Sequence, residues 1–162
     1  MINAAIVGLG YWGRQLVRAV HGRSHSIRFT TAVEQRVHEA VHFAQQHGLT
    51  LCEDYSQVLA DPGITALVIA HTNSLHAGYA IRAAQAGKHV FVEKPMALTA
   101  ANARETVEAC RTANVVLAVG FNWRFHPALI ELKRLVESEA LGVILHVEGN
   151  YSGPSGYRPP PG

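Results

Sequence analysis

An open, doubly wound α/β fold built on a parallel sheet is what this sequence predicts, and three observations carry that reading. Short apolar runs alternate with segments of helical period over roughly the first 120 of 162 residues. One run, "ALVIA" (66–70), is almost uninterruptedly apolar, as expected of a strand buried on both faces of a parallel sheet. The first run ends in glycines and leads directly into a helical pattern. Repeated strand–helix–strand units imply parallel pairing with helices on both faces.

The elements follow in order. "AAIVGLG" reads as a buried strand, and "YWGRQLVRAVHG" places Leu16, Val17 and Val20 on one helical side. "RFTTAVE" is β-branched and strand-like. Val37, Ala40, Val41 and Ala44 then recur at helical spacing, with Gly48 placed to stop the helix. "LTLCED" predicts a short strand and "DYSQVLADPG" a short helix broken by Asp61-Pro62-Gly63. After "ALVIA" comes a helix from about Leu75 to Ala86, then the strand "HVFVE". Thr99 suits the N-cap of the next helix, and "VVLAVG" closes the alternation. From Phe121 the rhythm changes. Pro127 opens an amphipathic helix (Leu129, Leu132, Leu135, Val136) ended by Gly142, "VILHVEGNYS" reads as a strand, and a glycine- and proline-rich tail follows. Two domains are therefore expected, 1–120 and the start of a second over 121–162.

Composition narrows the classes. With 48% hydrophobic and 16% charged residues the chain reads as globular, and a net charge of +2 with scattered Lys and Arg excludes a nucleic-acid partner or an anionic membrane surface. No apolar run approaches spanning length, and no signal peptide precedes the first strand. Cys52 and Cys110 stand far apart in apolar segments, which predicts two buried, reduced thiols and a cytoplasmic protein.

Gly8, Gly10 and Gly13 form G-x-G-x-x-G between a strand and a helix, the context that gives the spacing physical meaning. The first glycine allows a tight turn, the second lets backbone approach a pyrophosphate, and the third lets helix and strand pack closely. Leu9, Tyr11 and Trp12 complete the loop. Glu34 lies 21 positions beyond Gly13, near the spacing of a ribose-binding carboxylate. That carboxylate favours NAD over NADP. Arg36 keeps NADP open, since it could stack on adenine or pair with a 2′-phosphate.

"HEAVH" (38–42) matches H-E-x-x-H, a zinc-binding spacing. The segment belongs to the second helix, whose inner face is assigned to Val37, Ala40, Val41 and Ala44. His38 and His42 fall on its flank, and no third ligand follows. No metal site is assigned.

"GLGYWG" together with "VIAHTNSLHAGYAIRAAQAGKHVFVEKPMAL" and "VGFNWRFHPALIELKRLV" resembles the glucose–fructose oxidoreductase / inositol dehydrogenase / rhizopine catabolism (Gfo/Idh/MocA) family over almost the whole chain. The resemblance implies an N-terminal Rossmann domain, a C-terminal α/β domain, and hydride transfer between NAD or NADP and a sugar, cyclitol or related hydroxy compound. It places Gly8–Gly13 on the pyrophosphate and Glu34 on the adenosine ribose. Ala70, His71, Asn73 and His76 would run along the cofactor, with His71-Thr72 standing where the family has Thr-Pro. Glu93 and Lys94 would lie near the nicotinamide ribose and the substrate, with Lys94 catalytic. On physical grounds Pro95 would fix the backbone so that Lys94 points inward, a tight position that suits a cis Lys94–Pro95 bond. Arg124 would face the cleft.

The family's second-domain histidine has no counterpart here; neither His126 nor His146 stands in its place. The expectation is therefore a truncated dehydrogenase that binds the dinucleotide with little turnover, the alternative being a non-catalytic dinucleotide-binding or sensing module. The strand at Leu141–Tyr151 would be poorly ordered or would pair with its copy in a homo-oligomer.

Overall fold

The computed structural model describes residues 1–150. Six parallel strands form one sheet: β1 (Ile2–Val7), β2 (Ile27–Val33), β3 (Thr50–Cys52), β4 (Ala66–Ile69), β5 (His89–Val92) and β6 (Leu117–Val119). Their order is β3-β2-β1-β4-β5-β6, so the chain winds outward from β1 in one direction and from β4 in the other. The helices are α1 (Tyr11–Val20), α2 (Val37–Gln46), α3 (Tyr55–Ala60), α4 (His76–Gln85), α5 (Ala100–Thr112) and α6 (Pro127–Glu137). The predicted helix from Leu75 is preceded by a 3-10 turn, Asn73–Leu75. Thr99 caps α5 as expected, its hydroxyl accepting from the Asn102 N–H at 3.1 Å.

Two apolar layers cover the sheet, and strand alternation sorts residues between them. Ala5 and Val7 of β1 pack in one layer with Leu67, Ile69, Val90 and Val92, under α3, α4 and α5. Ala4 and Ile6 face the other, with Val17 of α1 and Ala40, Phe43 and Ala44 of α2. Phe29 and Ala32 break strict alternation by sharing that second layer. The register shows why: Ala4 pairs with Phe29 but Ala5 with Thr31, so the bulge at Thr30 shifts the parity of β2. The shift leaves Val33 in the first layer and brings Glu34 to the strand's end.

The expected buried face of α2 needs one correction. Phe43 takes the place assigned to Val41, which is exposed. Cys110 is buried and Cys52 only partly so; both are free thiols.

Tertiary contacts divide the chain into a unit of Met1–Phe121 and a second beginning at Asn122. In the second unit α6 starts at Pro127, with the His126 ring capping it through the Ala128 N–H at 3.3 Å. The helix stops at Glu137, before Gly142, because Glu139 already takes a left-handed φ of 56°. The predicted strand is not formed over its described part: Val143–Asn150 has no regular structure, with Leu145 92% exposed. A strand needs a neighbour for its N–H and C=O groups, and this segment has none among the described residues. Tyr151 and the tail lie outside them.

Candidate functional site

One row of residues organises the site. Gly8, Glu34, Ala70, Glu93 and Gly120 are each the first residue beyond a strand. Each donates its N–H to the last carbonyl of the neighbouring strand: Gly8 to Val33, Glu34 to Cys52, Ala70 to Val7, Glu93 to Ile69 and Gly120 to Val92, at 2.8–3.0 Å. The sheet's hydrogen bonding thus runs one residue past the strands and fixes five positions along its C-terminal edge. The winding reverses between β1 and β4, and such a switch point opens a ligand crevice.

The glycine loop occupies that point. Gly8 holds a φ of +94°, and a Cβ there would crowd the Ala70 carbonyl oxygen at 2.9 Å. At Gly13 a Cβ would overlap the Gly8 carbonyl oxygen, so α1 lies directly on the loop. Gly10 differs: a Cβ would meet nothing within 4 Å, because its outer side faces open space. Gly10 is also the N-cap of α1, and no side chain caps the first turn. Uncapped N–H groups and the positive end of the helix dipole attract anions. A phosphate-bearing ligand fits this donor set.

Glu34 locks the loop to β2. Its Oε2 accepts from the Leu9 N–H at 2.9 Å and its Oε1 from the Arg36 N–H at 3.2 Å. Arg36 turns its guanidinium to Glu39, 3.0 Å away. Leu9 itself is buried, so its contribution is backbone. A cleft of about 480 Å³ is lined by Gly8, Gly10, Tyr11, Trp12, Glu34, Gln35, Arg36, Ala70, His71 and Thr72. A recess of about 310 Å³ adjoins it beside Leu9, Arg14 and Glu39. Tyr11 and Trp12 meet edge to face at 5.2 Å, both largely exposed.

Sequence reasoning passed over Arg14, Gln35 and Gly120, while Thr72 lies in the Ala70–Asn73 loop already expected along the cofactor. Arg14 donates to the Leu9 carbonyl at 2.8 Å and to the Glu39 carbonyl at 2.8 Å, bracing the loop against α2. Its place directly after Gly13 was the available signal. Gly120 is discussed below with Glu93.

The other expected residues are distributed unevenly. Asn73 opens the 3-10 turn and is exposed, outside the cleft wall. Glu93 and Lys94 follow β5 and do not line the cleft either; the Lys94–Pro95 bond is cis. Lys94 is exposed, and its N–H donates to the Glu93 carboxylate at 3.2 Å. His76 departs from expectation. It is 1% exposed, with Nδ1 2.8 Å from the Pro95 carbonyl oxygen and Nε2 2.9 Å from that of His71. A ring so enclosed offers no atom to a cofactor. Arg124 sits in the 3-10 turn Asn122–Phe125 of the second unit. His38 and His42 are exposed on α2, and among the described residues no three His, Cys, Asp or Glu gather as a metal site. No helix among them is long and apolar enough to cross a membrane.

Residues 2–121 match the GFO_IDH_MocA family, an oxidoreductase family with an NAD-binding Rossmann fold. The chain belongs to this family. It is 31% identical over 153 residues to scyllo-inositol 2-dehydrogenase (NAD(+)) of Bacillus subtilis, covering 91% of this chain and 44% of that protein. Levoglucosan dehydrogenase of Pseudarthrobacter phenanthrenivorans is 41% identical over 98 residues, 60% of this chain and 25% of the relative. Among solved structures, scyllo-inositol dehydrogenase of Lactobacillus casei with bound NAD(H) and scyllo-inositol superposes with a TM-score of 0.82 at 26% identity. That match covers 88% of this chain and 42% of the other. The chain thus spans less than half the length of these family members, and its residues 2–121 are the stretch that matches the NAD-binding Rossmann model.

Proposed function

We propose that this chain supplies the dinucleotide-binding part of a cytoplasmic oxidoreductase that moves a hydride to or from a sugar, cyclitol or related polyhydroxylated compound. One observation carries the reading. The glycine loop, Ala70 and Glu34 stand together at the switch point of the sheet, and Glu34 is hydrogen-bonded to the loop itself. In this reading the first turn of α1 holds the pyrophosphate and Glu34 receives the adenosine ribose hydroxyls. Bound NAD would accept or return the hydride. Lys94 would meet the substrate oxygen and hold a proton there as charge changes, with Glu93 beside the ribose. Arg124 would serve the cofactor or the substrate, and Val143–Asn150 would pair in a homo-oligomer.

NAD is favoured over NADP because a 2′-phosphate would bring like charge against the Glu34 carboxylate, while Arg36 is engaged by Glu39. Calorimetry with both dinucleotides tests this. NAD should bind at least about tenfold more tightly than NADP, and Glu34→Ala should narrow that gap. Trp12, at the cleft wall, gives a second readout through quenching of its fluorescence. If NAD leaves both heat and fluorescence unchanged, the reading fails.

A further inference from the structure

Deepening the proposed function, and resting on it, we propose that His76 is a positioning residue that sets the nicotinamide-side wall of the cleft without touching the cofactor. A buried imidazole is costly to desolvate unless its nitrogens find partners. His76 is the first residue of α4, and its two nitrogens reach two different loops. Nε2 lies 2.9 Å from the carbonyl oxygen of His71, in the loop after β4; Nδ1 lies 2.8 Å from that of Pro95, in the loop after β5. Carbonyls only accept. In either neutral tautomer one of them receives an N–H, and the doubly protonated ring serves both. The ring therefore sits as a spacer between the two loops, filling the interval at 1% exposure.

What those loops carry gives the spacer its meaning. The first presents Ala70, His71 and Thr72 to the cleft. The second begins at Glu93 and Lys94, one residue before Pro95. Strand order places β4 and β5 on the opposite side of β1 from Glu34. A dinucleotide laid across the crevice with its adenosine ribose at Glu34 must send its other half toward these loops. His76 thus bears on that half through both loops. The side-chain bonds of Glu34 and Arg14 that hold the glycine loop do not involve it, and Gly8 meets the first loop at Ala70 and the His71 Cα.

The test compares two ligands on the 162-residue chain and two variants: NAD, which spans the crevice, and ADP, which reaches only the Glu34 and glycine-loop side. His76→Leu removes both ring nitrogens. His76→Gln returns an amide donor near the place of Nε2, and it is the variant to use if His76→Leu does not fold. In His76→Leu, NAD affinity should fall about tenfold or more with ADP affinity within about twofold of the unsubstituted chain. His76→Gln should recover part of the NAD loss. A general structural role would weaken both ligands together, and that result, or no change in either, overturns the inference. If the unsubstituted chain binds ADP but not NAD, or binds neither, the functional reading falls first and takes this one with it.

Discussion

Helices α4 and α6 are written in similar sequence patterns and meet opposite fates. Along α4, Ala77, Ala80, Ala83 and Ala84 are buried against the strands of the first unit. Along α6, Leu129, Ile130, Leu132 and Val136 are all exposed, and no residue of the helix is buried. Both helices obey the same periodicity, so the pattern alone encodes a face and not what covers it. Small residues on α4 also allow it to lie close to the sheet, whereas α6 presents bulky side chains that fill no cavity among the described residues. The face of α6 is an apolar surface of the kind that marks an interaction site.

The sharpest way to break this contrast is to substitute one position from each unit. Gly13→Ala puts a Cβ onto the Gly8 carbonyl oxygen, a backbone group that cannot turn aside as a flexible side chain would. The expected loss is about 3 kcal/mol or more, with NAD binding abolished. Ile130→Gln, on the exposed face of α6, should change stability by no more than about 0.5 kcal/mol. Urea unfolding of both variants measures the difference. If Ile130→Gln costs as much as Gly13→Ala, the α6 face is covered and the contrast disappears.

Much of the first unit was legible because its signals are local. Glycine spacing, apolar runs and the cap at Thr99 each depend on a few neighbouring residues. The bulge at Thr30 was not legible, because a parity shift in β2 shows only against its partner β1. Nor was the role of Val41, displaced by Phe43, whose ring is flanked by the Arg14 and Arg18 guanidinium groups at 5.3 Å. In the site, Glu34 and the glycine loop could be read from spacing. His76 could not: the same histidine suits an open cleft or a sealed interior, and only the carbonyls of His71 and Pro95 decide between them. The strand expected at Val143–Asn150 had some alternation and, among the described residues, no partner to pair with.

Gly120 offers a finer comparison, within the row of residues at the sheet edge. A Cβ there would stand 3.0 Å from Cδ and both oxygens of the Glu93 carboxylate, which lies flat against the glycine. Gly120→Ala should displace that carboxylate at a cost of about 1–2 kcal/mol, less than Gly13→Ala because a side chain can turn where backbone cannot. A chemical-shift change confined to Glu93, Lys94 and their neighbours would support this. Shifts spreading equally through the glycine loop would show that the loop after β5 and the glycine loop are not separately held.

The smallest effect tests how tightly the first unit excludes water. Tyr55 is buried beside Tyr79, at 4.5 Å between rings, and donates its hydroxyl to the Tyr79 carbonyl at 2.7 Å. Burial pushes the phenol well above its ordinary range, and the Arg82 guanidinium works weakly against that rise. The folded chain therefore keeps this proton where the unfolded chain has lost it. Its contribution to stability is complete below about pH 10 and declines as pH rises further, by up to about 1.4 kcal/mol per pH unit. Tyr55→Phe should cost about 1 kcal/mol near neutrality through the lost hydrogen bond. It should also flatten the alkaline decline relative to the unsubstituted chain. Urea midpoints for both proteins between pH 7 and about pH 11 give the two slopes. Parallel slopes would mean that water reaches Tyr55, and that the layer over β4 and β5 is looser than its packing implies.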